Sequence, residues 1–67
     1  MKILGVVYHS IEQLCSVTVI VDSIEEAIKE LGPMRLPELL SIPVRLTENE
    51  IQISYIVNCD KVIDWFK

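Results

Sequence analysis

Ser23-Ile24-Glu25-Glu26-Ala27-Ile28-Lys29-Glu30-Leu31-Gly32-Pro33 is the segment that decides the fold. A serine followed three residues later by glutamate makes a capping box. The serine oxygen accepts an N–H of the first turn that no helical carbonyl can reach, and the glutamate reaches back toward the cap. Ile24, Ala27, Ile28 and Leu31 then recur at i, i+3, i+4 and i+7 and share one side of a helix. Gly32 and Pro33 form the matching stop, since glycine accepts the reversed backbone at a helix end and proline cannot continue the ladder. The segment therefore reads as a helix over Ile24–Leu31, with Glu25, Glu26, Lys29 and Glu30 facing solvent. Glu25 and Lys29 are spaced to pair, and Glu26 and Glu30 to repel.

Upstream, Leu14 to Val21 alternates strictly. Cys15, Val17, Val19 and Val21 form the better core face, and Leu14, Ser16, Thr18 and Ile20 the mixed one. Lys2 to His9 is rich in β-branched residues and reads as a further strand. It is apolar on both sides, through Leu4, Val6 and Tyr8 on one and Ile3 and Val7 on the other, which is the pattern of a central strand. Ser10 to Gln13 connects the two.

Downstream, Pro37 either opens a single helical turn through Glu38, Leu39 and Leu40 or lies in an extended crossing. Ile42 to Thr47 and Glu50 to Val57 read as a hairpin around Glu48-Asn49. A two- or four-residue loop sets Leu46 opposite Ile51, Val44 opposite Ile53 and Ile42 opposite Tyr55, so that each pair is apolar on one face. Pro43 lacks an N–H and marks this strand as an edge. Asn58 or Asp60 caps a short C-terminal helix whose apolar side is Val62, Ile63 and Phe66, with Trp65 beside them.

The elements assemble into an α+β domain of order ββαββα. We expect a mostly antiparallel four-stranded sheet, one main helix on a face and a short C-terminal helix. Strand order, and the sense of contact between the two hairpins, stay open. Sixty-seven residues allow a single domain, 1–67. So short a chain buries only about 60% of its unfolded surface, and most such domains supplement the core with disulfides, a metal or a second chain. Hydrophobic residues make up 51% of this one, which is high for so small a body.

Charge narrows the partners. Ten acidic residues against six scattered basic ones give a net charge of −4, which argues against nucleic acid and anionic membrane surfaces. The longest apolar run, Ile3 to Tyr8, is far short of the roughly 20 residues of a membrane span. His9, Ser10 and Glu12 end it before a signal-peptide core forms, so the expectation is an unprocessed cytoplasmic chain.

Chemistry-bearing motifs are sparse. His9, the single histidine, would have to meet Cys15 or Cys59 to make a nucleophile pair, and no glycine-rich oxyanion loop accompanies them. His9, Cys15, Cys59 and Asp60 lack the close ligand spacing of a zinc site, and the two cysteines read as free, partly buried thiols. Gly5 and Gly32 are too few for a phosphate loop. Gly32 belongs to the helix stop, and Gly5 to a bulge or a close approach. No cofactor, metal or catalytic residue is therefore expected.

Two surfaces remain. Glu25, Glu26, Glu30, Glu48 and Glu50 form a candidate acidic face for a basic target, against the simpler reading of a solvated helix and turn. Leu4, Val6, Tyr8, Leu14, Ile20, Ile56 and Trp65 form a candidate interaction surface, because one helix cannot cover so many large apolar groups. Either the C-terminal helix folds across them or a second chain does. The functional expectation is a non-catalytic protein-interaction module: a small regulator or inhibitor, of the kind a phage or mobile element carries, acting as a homodimer. An oligomeric small-molecule binder and a small Cys/His enzyme are the alternatives.

Overall fold

A computed structural model describes residues 1–9, 13–33 and 35–66. The elements run β1 (Lys2–His9), β2 (Leu14–Val21), α1 (Ile24–Leu31), a 3-10 turn (Leu36–Glu38), β3 (Val44–Thr47), β4 (Glu50–Asn58) and α2 (Cys59–Trp65). The four strands form one sheet in the order β1-β2-β4-β3, with every neighbouring pair antiparallel. This is the small α+β domain expected from the patterning, and it settles the contact between the hairpins, because β2 and β4 form the central ladder from Leu14 opposite Asn58 to Val21 opposite Ile51.

The alternation of β2 and β4 decides which face is the core. Cys15, Val17, Val19 and Val21 lie beside Ile51, Ile53, Tyr55 and Val57, all buried. Ala27 and Leu31 of α1 and Val62 of α2 close over them in one cluster, with Ile3, Leu39, Cys59 and Trp65 partly buried at its rim. The small side chain of Ala27 allows α1 to lie close to the sheet.

The α1 boundaries agree with the sequence. Ser23 Oγ accepts the Glu26 N–H at 3.1 Å, and Glu26 reaches one residue further back than a standard box, to the Asp22 N–H. At the other end Gly32 holds φ at +87° while its N–H bonds the Ile28 carbonyl. A side chain at that φ is strained, which explains the glycine. Among the described residues, no Glu25–Lys29 ion pair forms.

Several expectations need correction. β1 is an edge strand, not a central one: it pairs only with β2, and the helices pack mainly on β2 and β4. Apart from Ile3, which packs at the rim of the core, its apolar side chains are exposed, so apolarity on both sides does not mark a sandwiched strand here. Gly5 sits at a bulge between Ile3 and Gly5, and a Cβ there would meet nothing within 4 Å, so close packing is not its reason.

The β3–β4 register also differs. Thr47 faces Glu50 across Glu48-Asn49, but Arg45, not Leu46, faces Ile51, and Val44 faces Gln52 rather than Ile53. The cause is turn chemistry. Among the described residues only Gln13 and Gly32 have positive φ, so the turn lacks the primed geometry that matches a regular hairpin, and β3 absorbs the mismatch with a bulge. Ile42 consequently does not face Tyr55. Leu39 bridges to Tyr55 instead, and the Leu40 N–H bonds the Ser54 carbonyl. Pro37 lies within a single 3-10 turn, but the turn spans Leu36–Glu38 and ends before Leu39 and Leu40, earlier than the helical reading placed it. The β1–β2 connection, apart from Gln13, lies outside the described residues.

The helix faces are narrower than their sequence periods. Ile24 and Ile28 stay exposed on α1. On α2, Asn58 is the cap, its Oδ1 accepting the Asp60 N–H at 2.9 Å. The buried side is Cys59, Val62 and Trp65, at i, i+3 and i+6, whereas Ile63 and Phe66 point to solvent.

Candidate functional site

The second face of the sheet carries no helix. Both α1 and α2 pack on the Val17–Ile53 side, so the C-terminal helix does not fold across the other. That other face has a polar middle and apolar ends. Thr18 and Ser54 face each other at its centre, with Thr18 Oγ1 3.1 Å from Ser54 Oγ, and the flanking rungs are mixed, Ser16 opposite Ile56 and Gln52 opposite Ile20. Leu14, Ile20 and Ile56 lie toward its ends, half-buried by their neighbours. A hydroxyl-lined sheet centre is compatible with water, so this face needs no cover.

The structure divides the seven residues of the candidate interaction surface. Leu14, Ile20 and Ile56 are on the open face. Val6 and Tyr8, opposite Val17 and Cys15, point to the helical side but beyond the helices, and Leu4 sits in the β1 bulge. Trp65 leans on the core from α2. Leu4, Val6 and Tyr8 are exposed, and the sequence reading missed that Val7, 58% exposed on the open face, joins them. Tyr8 is 61% exposed. β1 thus presents an edge of apolar side chains on both sides, with no charge from Ile3 to Tyr8. Native edges are usually blunted by charge, proline or a short strand. β3 is blunted in this way, being four residues long, bulged, preceded by Pro43 and carrying Arg45.

A second apolar region lies at the lead-in to β3. Leu36, Leu39, Leu40, Ile42 and Pro43 with Ser41 line a shallow groove of about 370 Å³. The segment before it is anchored by Tyr55. The Tyr55 hydroxyl donates to Glu38 Oε2 at 2.8 Å, has the Pro33 carbonyl at 3.1 Å as a further acceptor, and accepts the Arg35 N–H at 3.3 Å. Burial, together with the bond to Glu38, raises the hydroxyl pKa above its ordinary value.

The acidic residues are partly engaged within the chain. Glu26 binds the Met1 ammonium at 2.8 Å as well as the Asp22 N–H. These bonds pull its carboxyl down to about 2, the ammonium contributing most. Glu50 accepts from Thr47 Oγ1 at 3.1 Å. Glu25 and Glu48 are exposed and Glu30 is half-buried.

His9 and Cys15 are not brought together. His9 Nε2 lies 2.6 Å from Ser16 Oγ on the open face, whereas the Cys15 side chain points to the core. Cys15 meets Cys59 instead, with the two sulfurs 2.9 Å apart and both thiols free. Among the described residues, no three His, Cys, Asp or Glu side chains gather as metal ligands, and no helix is long and apolar enough to cross a membrane. Compared with known proteins, the chain matches no family model, no curated protein and no solved structure.

Proposed function

We propose that this chain is a non-catalytic protein-interaction module that self-associates through β1, serving as a small cytoplasmic regulator or inhibitor of a protein partner. The observation that carries the reading is the apolar edge of β1, which is eight residues long, uncharged from Ile3 to Tyr8 and regular beyond the bulge at Leu4. Two such edges pair about a two-fold axis into a closed, isologous contact. An antiparallel copy centred on Val6 sets Leu4 opposite Tyr8 and Gly5 opposite Val7, with Lys2 outside the apolar stretch, so no charge meets its like. The pairing satisfies backbone groups that otherwise template unspecific association.

Light scattering during size exclusion tests the reading at micromolar concentration. A dimer mass is expected, reverting to a monomer in Val7→Lys, whose exposed side chain would carry a charge into the apolar seam opposite Gly5 of the copy. A wild-type monomer of unchanged mass across the concentration range would sink the proposal. The groove at Leu36–Pro43 favours a second reading, small-molecule binding. Its volume is at the lower end for ligand sites, and Ser41 alone supplies a polar side chain to orient a guest. A specific rise in Tm with one metabolite would favour that reading.

A further inference from the structure

We infer that Cys15 and Cys59 form a dithiol–disulfide couple, which a low-molecular-weight disulfide of the glutathione class converts into an intramolecular bond tying α2 to β2. The register brings the pair together. Cys15 faces Val57 across the central ladder, so Cys59 lies two residues beyond it on the same side. On a flat sheet such diagonal neighbours are about 7–8 Å apart. Here α2 begins at Cys59, and the Cys59 N–H bonds the Gln13 carbonyl at 3.1 Å, which holds the turn of chain that brings the thiol back over β2. The sulfurs stand 2.9 Å apart, about 0.9 Å more than a disulfide bond. Both residues sit on regular elements whose neighbours, Val17, Val57 and Val62, are core. Closure therefore asks for a small rotation of the side chains and no rearrangement of the sheet.

The chemistry proceeds in two exchanges. Cys59 is half-buried and Cys15 buried, so the external disulfide meets Cys59 first. The Cys59 thiolate attacks one sulfur of the oxidant, forms a mixed disulfide and releases one glutathione thiol. The Cys15 thiolate then attacks the Cys59 sulfur and expels the second. Two protein thiols are oxidised, one external disulfide is reduced, and the two thiol protons end on the two glutathiones. Burial and the bond with Cys15 push the Cys59 thiol up to about 11, which makes the first exchange slow at neutral pH. The couple is thus a slow staple rather than a fast peroxide sensor.

The test equilibrates the full chain in graded mixtures of oxidised and reduced glutathione. Acid quench, alkylation and intact mass measurement follow, together with Tm. The expected product is a species lighter by two hydrogens that takes no alkylating group, and whose Tm exceeds that of the reduced form by on the order of 10 °C. Cys59→Ala, folded by circular dichroism, should form no such species. The inference is overturned if the wild type accumulates the mixed disulfide with glutathione without closing. It is equally overturned if the disulfide-linked product is a covalent dimer, or if the closed species melts no higher than the dithiol. None of these readouts depends on the assembly through β1.

Discussion

Replacing Tyr55 by phenylalanine tests how the segment from Pro33 to Leu39 is held. The ring is almost wholly buried and stays so in the variant, so the apolar packing with Ile53 and Val17 is kept and no large cavity opens. What is lost is one hydroxyl with three partners. Its bond to the Glu38 carboxylate is charge-assisted, a class that contributes about 1.5–3 kcal/mol. Two facts reduce that figure. The Glu38 side chain is 38% exposed and regains water, and Arg35 is exposed, so its N–H does the same. The expected loss is about 1–2 kcal/mol, or about 5–12 °C in Tm for a domain of this size. Urea unfolding should show a lower midpoint with an unchanged slope, because the surface exposed on unfolding is nearly the same. Glu38→Gln keeps an acceptor and should lose less, since its exposed 3.5 Å contact with Arg35 adds little.

Absorbance titration of the tyrosinate in a Tyr8→Phe background gives an independent reading. The Tyr55 midpoint should lie above the ordinary value of 10. The sign follows: the folded state holds this proton more tightly than the unfolded chain, so the hydroxyl's contribution is complete below pH 10 and is lost as pH rises through the folded value. A Tyr55→Phe variant within about 0.5 kcal/mol of wild type, or an unshifted midpoint, would refute the anchoring role.

Two further outcomes follow from the same structure. Gly5→Ala should raise stability by roughly 0.5–1 kcal/mol in urea unfolding, because its φ is not positive, a Cβ there is unobstructed, and the unfolded chain loses freedom. For Glu26, the folded carboxyl at about 2 lies below the unfolded value of 4.5, so its contribution is present above pH 4.5 and fades as pH falls toward 2. The acid limb of a Tm-versus-pH curve should therefore be shallower in Glu26→Gln.

Local grammar carried much of this fold. The Ser23 cap and the Gly32 stop define α1 by hydrogen bonds made within a few residues, and the alternation of β2 names its buried face without knowledge of its neighbours. Other features depend on pairing. Whether β1 is central or edge is a property of what lies beside it, and its two apolar sides are compatible with both. The β3 bulge follows from the missing positive φ at Glu48-Asn49, a fact of backbone geometry that neither residue type dictates. The candidate surface was legible as a surplus of apolar groups but not as an edge. Leu14, Ile20 and Ile56 belong to a face whose polar centre removes the need for cover, and Val7 became part of the edge only once β1 was left outside the helices. The Cys15–Cys59 meeting is invisible until the β2–β4 register is known.

That register has a consequence for synthesis. The middle of the sheet joins Leu14 to Asn58 and Val21 to Ile51, so the two central strands are separated in sequence by α1, the 3-10 turn and β3. The core cannot close while β4 and α2 are still inside the ribosome, and α1 alone is too short to persist in water. During translation β1 and β2 can offer at best a marginal hairpin, with the Val17 face bare. The risk of aggregation is greatest in that interval, and the interval ends only when Val62 emerges to complete the cluster.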